Sequence, residues 1–170
     1  RGLLNAEGRD VVVIGGGDTA MDCVRTAIRQ KAKSVTCLYR RDRANMPGSQ
    51  REVANAEEEG VDFRWLSAPQ AFLGDNHVRA VQAQKIHLGQ PDATGRQVPQ
   101  IIEGSSHEIP ADLVIKALGF DPEDIPTMFG APELEVSKWG TIGVDLRTMM
   151  TNLPGVFAAG DIVRGASLAV

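Results

Sequence analysis

Gly15, Gly16, Gly17, Asp18, Thr19 and Ala20 form a glycine-rich turn between an apolar run, 10–14, and an amphipathic stretch. Gly15, Gly17 and Ala20 satisfy the spacing G-x-G-x-x-G/A, which has a defined physical purpose. The first glycine makes a tight turn, the second lets backbone approach a pyrophosphate, and the third small residue lets helix and strand pack closely. Backbone N–H groups at a helix start then point at phosphate oxygens, aided by the positive end of the helix dipole. Thr19 offers a hydroxyl for the same anion. Asp18 reads as a helix N-terminal cap, because a carboxylate beside a pyrophosphate carries an electrostatic cost.

The second group with chemistry stands 25 residues beyond Gly15, in Tyr39-Arg40-Arg41-Asp42-Arg43. In a dinucleotide site that selects NAD, an Asp or Glu at this place accepts from the ribose 2′-OH. Guanidinium groups match a 2′-phosphate in charge and fork geometry. At roughly 1.5–3 kcal/mol per charge-assisted bond, two of them favour NADPH over NADH by roughly 100-fold or more. Arg40, Arg41 and Arg43 are therefore candidate 2′-phosphate ligands. The competing reading is a solvated basic loop with Asp42 as its internal partner.

These residues need elements to hold them. The run 10–14 is uniformly apolar, as in a strand covered on both faces. A helix over 18–31 carries the stripe Ala20, Cys23, Val24, Ala27, Ile28, and "SVTCLYR" at 34–40 supplies the next strand. Strand, helix and strand within about 30 residues make a parallel βαβ unit. A second helix is expected over 50–59, with Ser49 and Glu52 at capping-box spacing and Gly60 at its stop. "VDFRWL" is a third strand. From about 70 to 105 the texture changes to short alternating pieces, the pattern of an antiparallel meander. "ADLVIKALG" at 111–119 returns to the main sheet. "FDPEDIPTMFGAPELE" reads as a linker, and the last stretch as a hairpin, a turn and a further apolar strand ending at Gly160.

Bulk properties narrow the classes further. With 18 basic and 22 acidic residues, the net charge of −4 gives no field favouring nucleic acid or an acidic membrane surface. No apolar run approaches the roughly 18 residues that span a bilayer, and the first residues do not resemble a signal peptide, so the expected location is cytoplasmic. Cys23 and Cys37 are too far apart for a CxxC pair and read as small core residues. His77, His87 and His107 fall in or near the meander. Glu57, Glu58 and Glu59 read as a solvated helix face, and Met149, Met150, Trp65 and Trp139 as packing residues.

With these motifs in place, the chain resembles the NADPH-dependent glutamate synthase small (β) subunit. The likeness is carried by "VVVIGGGDTAMDCVRTAIRQKAKSVTCLYRRDRANMPGSQREVANAEEEGV", by "ALGFDP" and by "NLPGVFAAGDIVRGASL"; only the meander lacks a signature. The resemblance implies an α/β, Rossmann-like NADPH-binding domain of a flavoprotein with two dinucleotide-binding domains. That domain is expected over 1–119, with a linker and a partial FAD-domain return over 120–170. Ala117-Leu118-Gly119 is similar to the family's hinge back to the FAD domain. Gly160-Asp161 is similar to the turn whose aspartate holds the flavin's ribityl chain. The family's first FAD fingerprint and its cysteine-rich iron–sulfur region are not in these residues, so the chain reads as an excised piece expected to retain no FAD alone. Asn45 stands near the place of a further arginine in many relatives, which leaves open whether Arg43 replaces it.

The resemblance implies electron flow from NADPH to FAD, through iron–sulfur clusters, to a large subunit that makes glutamate. Hydride transfer between a nicotinamide and a flavin needs proximity and stacking and no protein acid or base, so no catalytic residue is assigned. Related electron-input modules serve ferredoxin or pyrimidines, and a non-catalytic NADP(H) sensor is the reading from another class. Thioredoxin reductases, which carry a redox CxxC in this domain, are disfavoured.

Overall fold

A computed structural model describes residues 4–91, 97–119 and 121–165. The chain divides into two compact units, Arg1–Leu118 and Gly119–Val170.

In the first unit, β1 (Asp10–Ile14), α1 (Asp18–Arg29), β2 (Ser34–Leu38), α2 (Gln50–Glu58) and β3 (Asp62–Arg64) follow in order. The antiparallel strands β4 (Ser67–Leu73), β5 (Ala80–Pro91), β6 (Gln97–Ile101) and β7 (His107–Pro110) come next, then β8 (Leu113–Lys116). The main sheet is parallel, in the order β3-β2-β1-β8. β1 thus lies between β2 and β8, with Ile14 opposite Leu38 on one side and Lys116 on the other. The strand ends that carry the glycine turn, the arginine run and Ala117 are therefore neighbours.

The continuous apolar run of β1 is explained by its two covered faces. Val11 and Val13, with Val35 and Cys37 of β2, pack against Ala20, Met21, Val24 and Ala27 of α1 and Val53 and Ala56 of α2. Val12, Ile14 and Leu38 face the opposite way, onto Val81 and Ala83 of β5 and Ile109 of β7. The meander is thus the second cover of the sheet. β5 is its central strand, pairing β4 along one edge and β6 and β7 along the other.

Two expected local features differ. Ser49 is the N-cap of α2 but makes no side-chain cap bond. Glu52, the other half of that capping box, instead pairs with Arg25 of α1. Arg25 also binds Glu59 at 2.7 Å, and Arg29 reaches the same carboxylate at 3.3 Å. An ion pair across two helices has displaced a local cap. The acidic triplet is correspondingly not a plain solvated face: Glu59 is clasped by arginines, which hold its carboxyl below its usual range. Only Glu58 of the three is exposed without a partner among the described residues. At the start of β1, Lys33 and Ser34 hold the Asp10 carboxyl below its ordinary pKa through bonds of 2.6 Å each.

The second unit is sparse in regular structure. The stretch expected to be a plain linker contains a helical turn, α3 (Ile125–Met128), whose N-cap Asp124 accepts from Thr127 N–H at 3.3 Å and from its hydroxyl at 2.7 Å. The expected hairpin reduces to an antiparallel bridge, Val136 to Ile142, and the expected apolar strand to the bridge Met150 to Phe157. An apolar run becomes a ladder strand only along an extended partner, and the pairing of Phe157 with Met150 does not extend beyond that one bridge. Gly160 is the N-cap of a short helix, α4 (Asp161–Arg164).

Candidate functional site: a glycine turn at the ends of adjacent strands

Each glycine of the turn has a separate physical reason. Gly15 has φ +147°, and a Cβ there would lie 2.2 Å from the Ala117 carbonyl oxygen, so β1 and β8 approach too closely for any side chain. A Cβ on Gly16 would meet the Tyr39 ring at 2.4 Å. Gly17 has φ −87°, which any residue adopts, and nothing lies within 4 Å of the Cβ it lacks. The space that Gly17 leaves open is the kind of cradle into which a ligand's backbone-bound anion fits.

The amides of the turn are open in the same way. Gly15 N–H donates to Leu38 O at 3.2 Å, and from Ala20 onward the helix satisfies its own donors. The N–H groups of Gly16, Gly17, Asp18 and Thr19 find no acceptor among the described residues. Unpaired amides at a helix start, with an empty side of Gly17 beside them, suit a phosphate. Thr19 is exposed at the same end.

Asp18 does not cap α1. Gly17 is the N-cap, and no side chain bonds to the helix start. The Asp18 carboxylate instead accepts from the Ser49 backbone N–H at 3.1 Å. Gly48 N–H donates to Gly16 O at 2.9 Å, and Met46 is buried in the core that holds Met21. The loop after β2 is thus laced onto the glycine turn. Sequence reasoning passed over Gly48 and gave Ser49 only as a cap of α2, not as a partner of the turn. The Pro47-Gly48 pair marks a turn, but only the fold shows what it turns against.

The three arginines occupy different situations. Arg40 is exposed and has no hydrogen bond or ion pair among the described residues. Arg41 is half-buried; its Nη2 donates to Gln97 O at 3.1 Å, while its buried Nε has no partner. Arg43 is held by both oxygens of Glu57 at 2.7 Å each. Asp42 partners none of them. Its Oδ1 accepts from the backbone N–H of Asn45 at 2.9 Å and from the Asn45 side chain at 2.8 Å, closing a local turn. The donor set, one open guanidinium and one with an unpaired buried Nε, fits a phosphate ester.

Cys37 belongs to this neighbourhood but not to its chemistry. Its thiol donates to Gly15 O at 3.4 Å, and burial pushes its pKa up to about 12. Burial also raises Cys23, which is half-buried on α1. Both cysteines are free thiols. Ala117 is buried, and its N–H donates to Ile14 O at 2.8 Å, which docks the last residue of the β8 side against the turn. In the second unit, Gly119 has φ +85° and Gly160 φ +84°. Asp161 is exposed, and its carboxylate has no partner among the described residues. No helix among the described residues is long and apolar enough to cross a membrane.

The chain is 71% identical over 169 residues to the glutamate synthase (NADPH) small chain of Azospirillum brasilense, across 99% of this chain and 35% of that protein. It is 70% identical over 167 residues to a putative glutamate synthase (NADPH) small chain of Cereibacter sphaeroides, across 98% of this chain and 40% of that one. The chain therefore spans well under half the length of these curated relatives. Among solved structures, thioredoxin reductase from Lactococcus lactis superposes with a TM-score of 0.72 at 26% identity, over 93% of this chain and 46% of that one. That likeness is one of fold, since the two cysteines here are 14 residues apart on different elements. Residues 2–170 match the model of the pyridine nucleotide-disulphide oxidoreductases, and the chain belongs to that family.

Proposed function

We propose that this chain binds NADPH and is the pyridine-nucleotide part of an FAD-containing oxidoreductase of the glutamate synthase small-subunit type. The observation that carries the reading is the pairing of unpartnered amides at Gly16–Thr19 with a spare guanidinium set at Arg40 and Arg41, on the ends of adjacent parallel strands. The pyrophosphate rests on Gly16, Gly17 and the first amides of α1, with the Thr19 hydroxyl beside them. The 2′-phosphate is taken by Arg40 and Arg41. Residues 1–119 are the NADPH domain. Residues 120–170 are a linker and part of the FAD domain, with Ala117 and Gly119 at the hinge and Gly160 and Asp161 on the flavin side.

When bound, a flavin supplies the acceptor for a hydride from the nicotinamide. The contribution of this chain is to bind and orient the donor, which lowers the barrier by proximity and alignment. No side chain is asked to move a proton. The identity to small chains of glutamate synthase supports iron–sulfur clusters and a large, glutamate-forming subunit as the onward electron path, in the cytoplasm.

Calorimetry with NADPH and NADH tests the reading. The wild-type chain is expected to prefer NADPH by roughly 100-fold, and Arg40→Ala/Arg41→Ala to abolish that preference by weakening NADPH alone. Equal weakening of both nucleotides refutes the 2′-phosphate assignment.

A further inference from the structure

Asp18 poses a problem that nucleotide binding alone does not resolve. Its carboxylate sits at the first helical position, beside the amides proposed for the pyrophosphate, where a negative charge opposes the ligand. The structure shows it engaged elsewhere, on the Ser49 N–H at 3.1 Å. Ser49 ends a loop that begins at the arginines and is fastened at several points. Asp42 closes a turn with Asn45, and the Tyr39 hydroxyl donates to Asn45 O at 3.0 Å. Met46 is buried, and Gly48 N–H donates to Gly16 O at 2.9 Å. A Cβ on Gly48 would stand 3.0 Å from that oxygen and 3.5 Å from the Gly17 carbonyl carbon, so loop and turn are in van der Waals register.

We propose that Asp18 is a positioning residue for cofactor selectivity: by holding Ser49 it locks the loop that follows the arginines onto the pyrophosphate turn. The lock fixes the separation between the anion site at the turn and the guanidinium groups at the end of β2. It therefore acts on the preference for NADPH over NADH rather than on nucleotide affinity as such. This rests on the NADPH reading above. The charge itself is not needed for the lock, because Ser49 requires only an acceptor. An amide oxygen serves equally and removes the repulsion from the pyrophosphate.

The test is calorimetry of the whole chain with NADPH, NADH and adenosine 2′,5′-bisphosphate, on wild type, Asp18→Ala, Asp18→Asn and Gly48→Ala. Loss of one acceptor is expected to lower the NADPH/NADH preference of Asp18→Ala about tenfold, with NADH binding unchanged or tighter. Asp18→Asn is expected to keep the preference while binding both nucleotides more tightly, and Gly48→Ala to lose it by displacing the loop. Adenosine 2′,5′-bisphosphate should follow NADPH across the series. Equal effects of Asp18→Ala on both nucleotides, or an Asn variant that behaves like Ala, overturn the proposal and leave the NADPH assignment standing. If Asp18→Ala does not fold, the Asn and Gly48 variants still decide. A wild type with no preference for NADPH refutes the assignment and the proposal together.

Discussion

Arg40, Arg41 and Arg43 lie within four residues, yet Arg43 alone of the three is held by a carboxylate, that of Glu57, among the described residues. Surface pairs as exposed as Arg43–Glu57 contribute about 0.2–1 kcal/mol, so energy alone would let a phosphate draw Arg43 away. Direction opposes this. The Arg43 carbonyl accepts from Met46 N–H at 3.2 Å and from the Gln50 side chain at 3.2 Å, in the turn leading into α2. Its guanidinium is held by Glu57 of that helix. Arg43→Ala is accordingly expected to change NADPH affinity by less than about threefold and to cost under about 1 kcal/mol in urea denaturation. A tenfold loss of NADPH binding, with NADH unaffected, would make Arg43 a third phosphate ligand. The sequence showed three arginines but could not separate them. Glu57 is 14 residues away, and nothing local announces the pair.

At the scale of elements, the glycine turn makes a sharper distinction than its motif does. Gly15 answers to the fold and Gly17 to the ligand. Gly15→Ala places a methyl group 2.2 Å from a backbone oxygen at φ +147°, a conformation that costs a non-glycine residue about 1–3 kcal/mol before any clash. Its urea midpoint should fall steeply, by the equivalent of at least 3 kcal/mol, with or without nucleotide. Gly17→Ala meets open space at an ordinary φ, so its midpoint should stay within about 0.5 kcal/mol of wild type while NADPH and NADH binding both weaken. Reversed behaviour of the two variants would show that the anion does not lie over Gly17. Strands, helices and the meander were legible because continuous apolar runs and the 3.6-residue stripe of α1 report burial directly. The capping box of α2 was misread because Glu52 has a stronger partner in Arg25. Caps and apolar runs are local signals, and here tertiary contacts decide whether they are used.

Across the whole molecule, everything assigned to NADPH lies in one unit. The sheet β3-β2-β1-β8, both helices against it and the meander on its other face fall within Arg1–Leu118, and both buried clusters draw only on those residues. Each face of the sheet has buried cover inside that span, so the first unit is expected to fold without the residues from Gly119 onward. The second unit has a different balance: Met128, Phe129, Trp139, Leu146 and Phe157 are all more than 60% exposed, and its strand signals end as isolated bridges. This exposed apolar surface fits the proposal that the second unit is part of a larger, flavin-binding domain. A chain comprising residues 1–119 is therefore expected to unfold in one cooperative urea transition and to bind NADPH within about threefold of the 170-residue chain, with the same preference over NADH. A noncooperative transition would show that the first unit borrows stability from the second. Cooperative unfolding with NADPH binding lost would place part of the nucleotide site beyond residue 119, and would move the domain boundary with it.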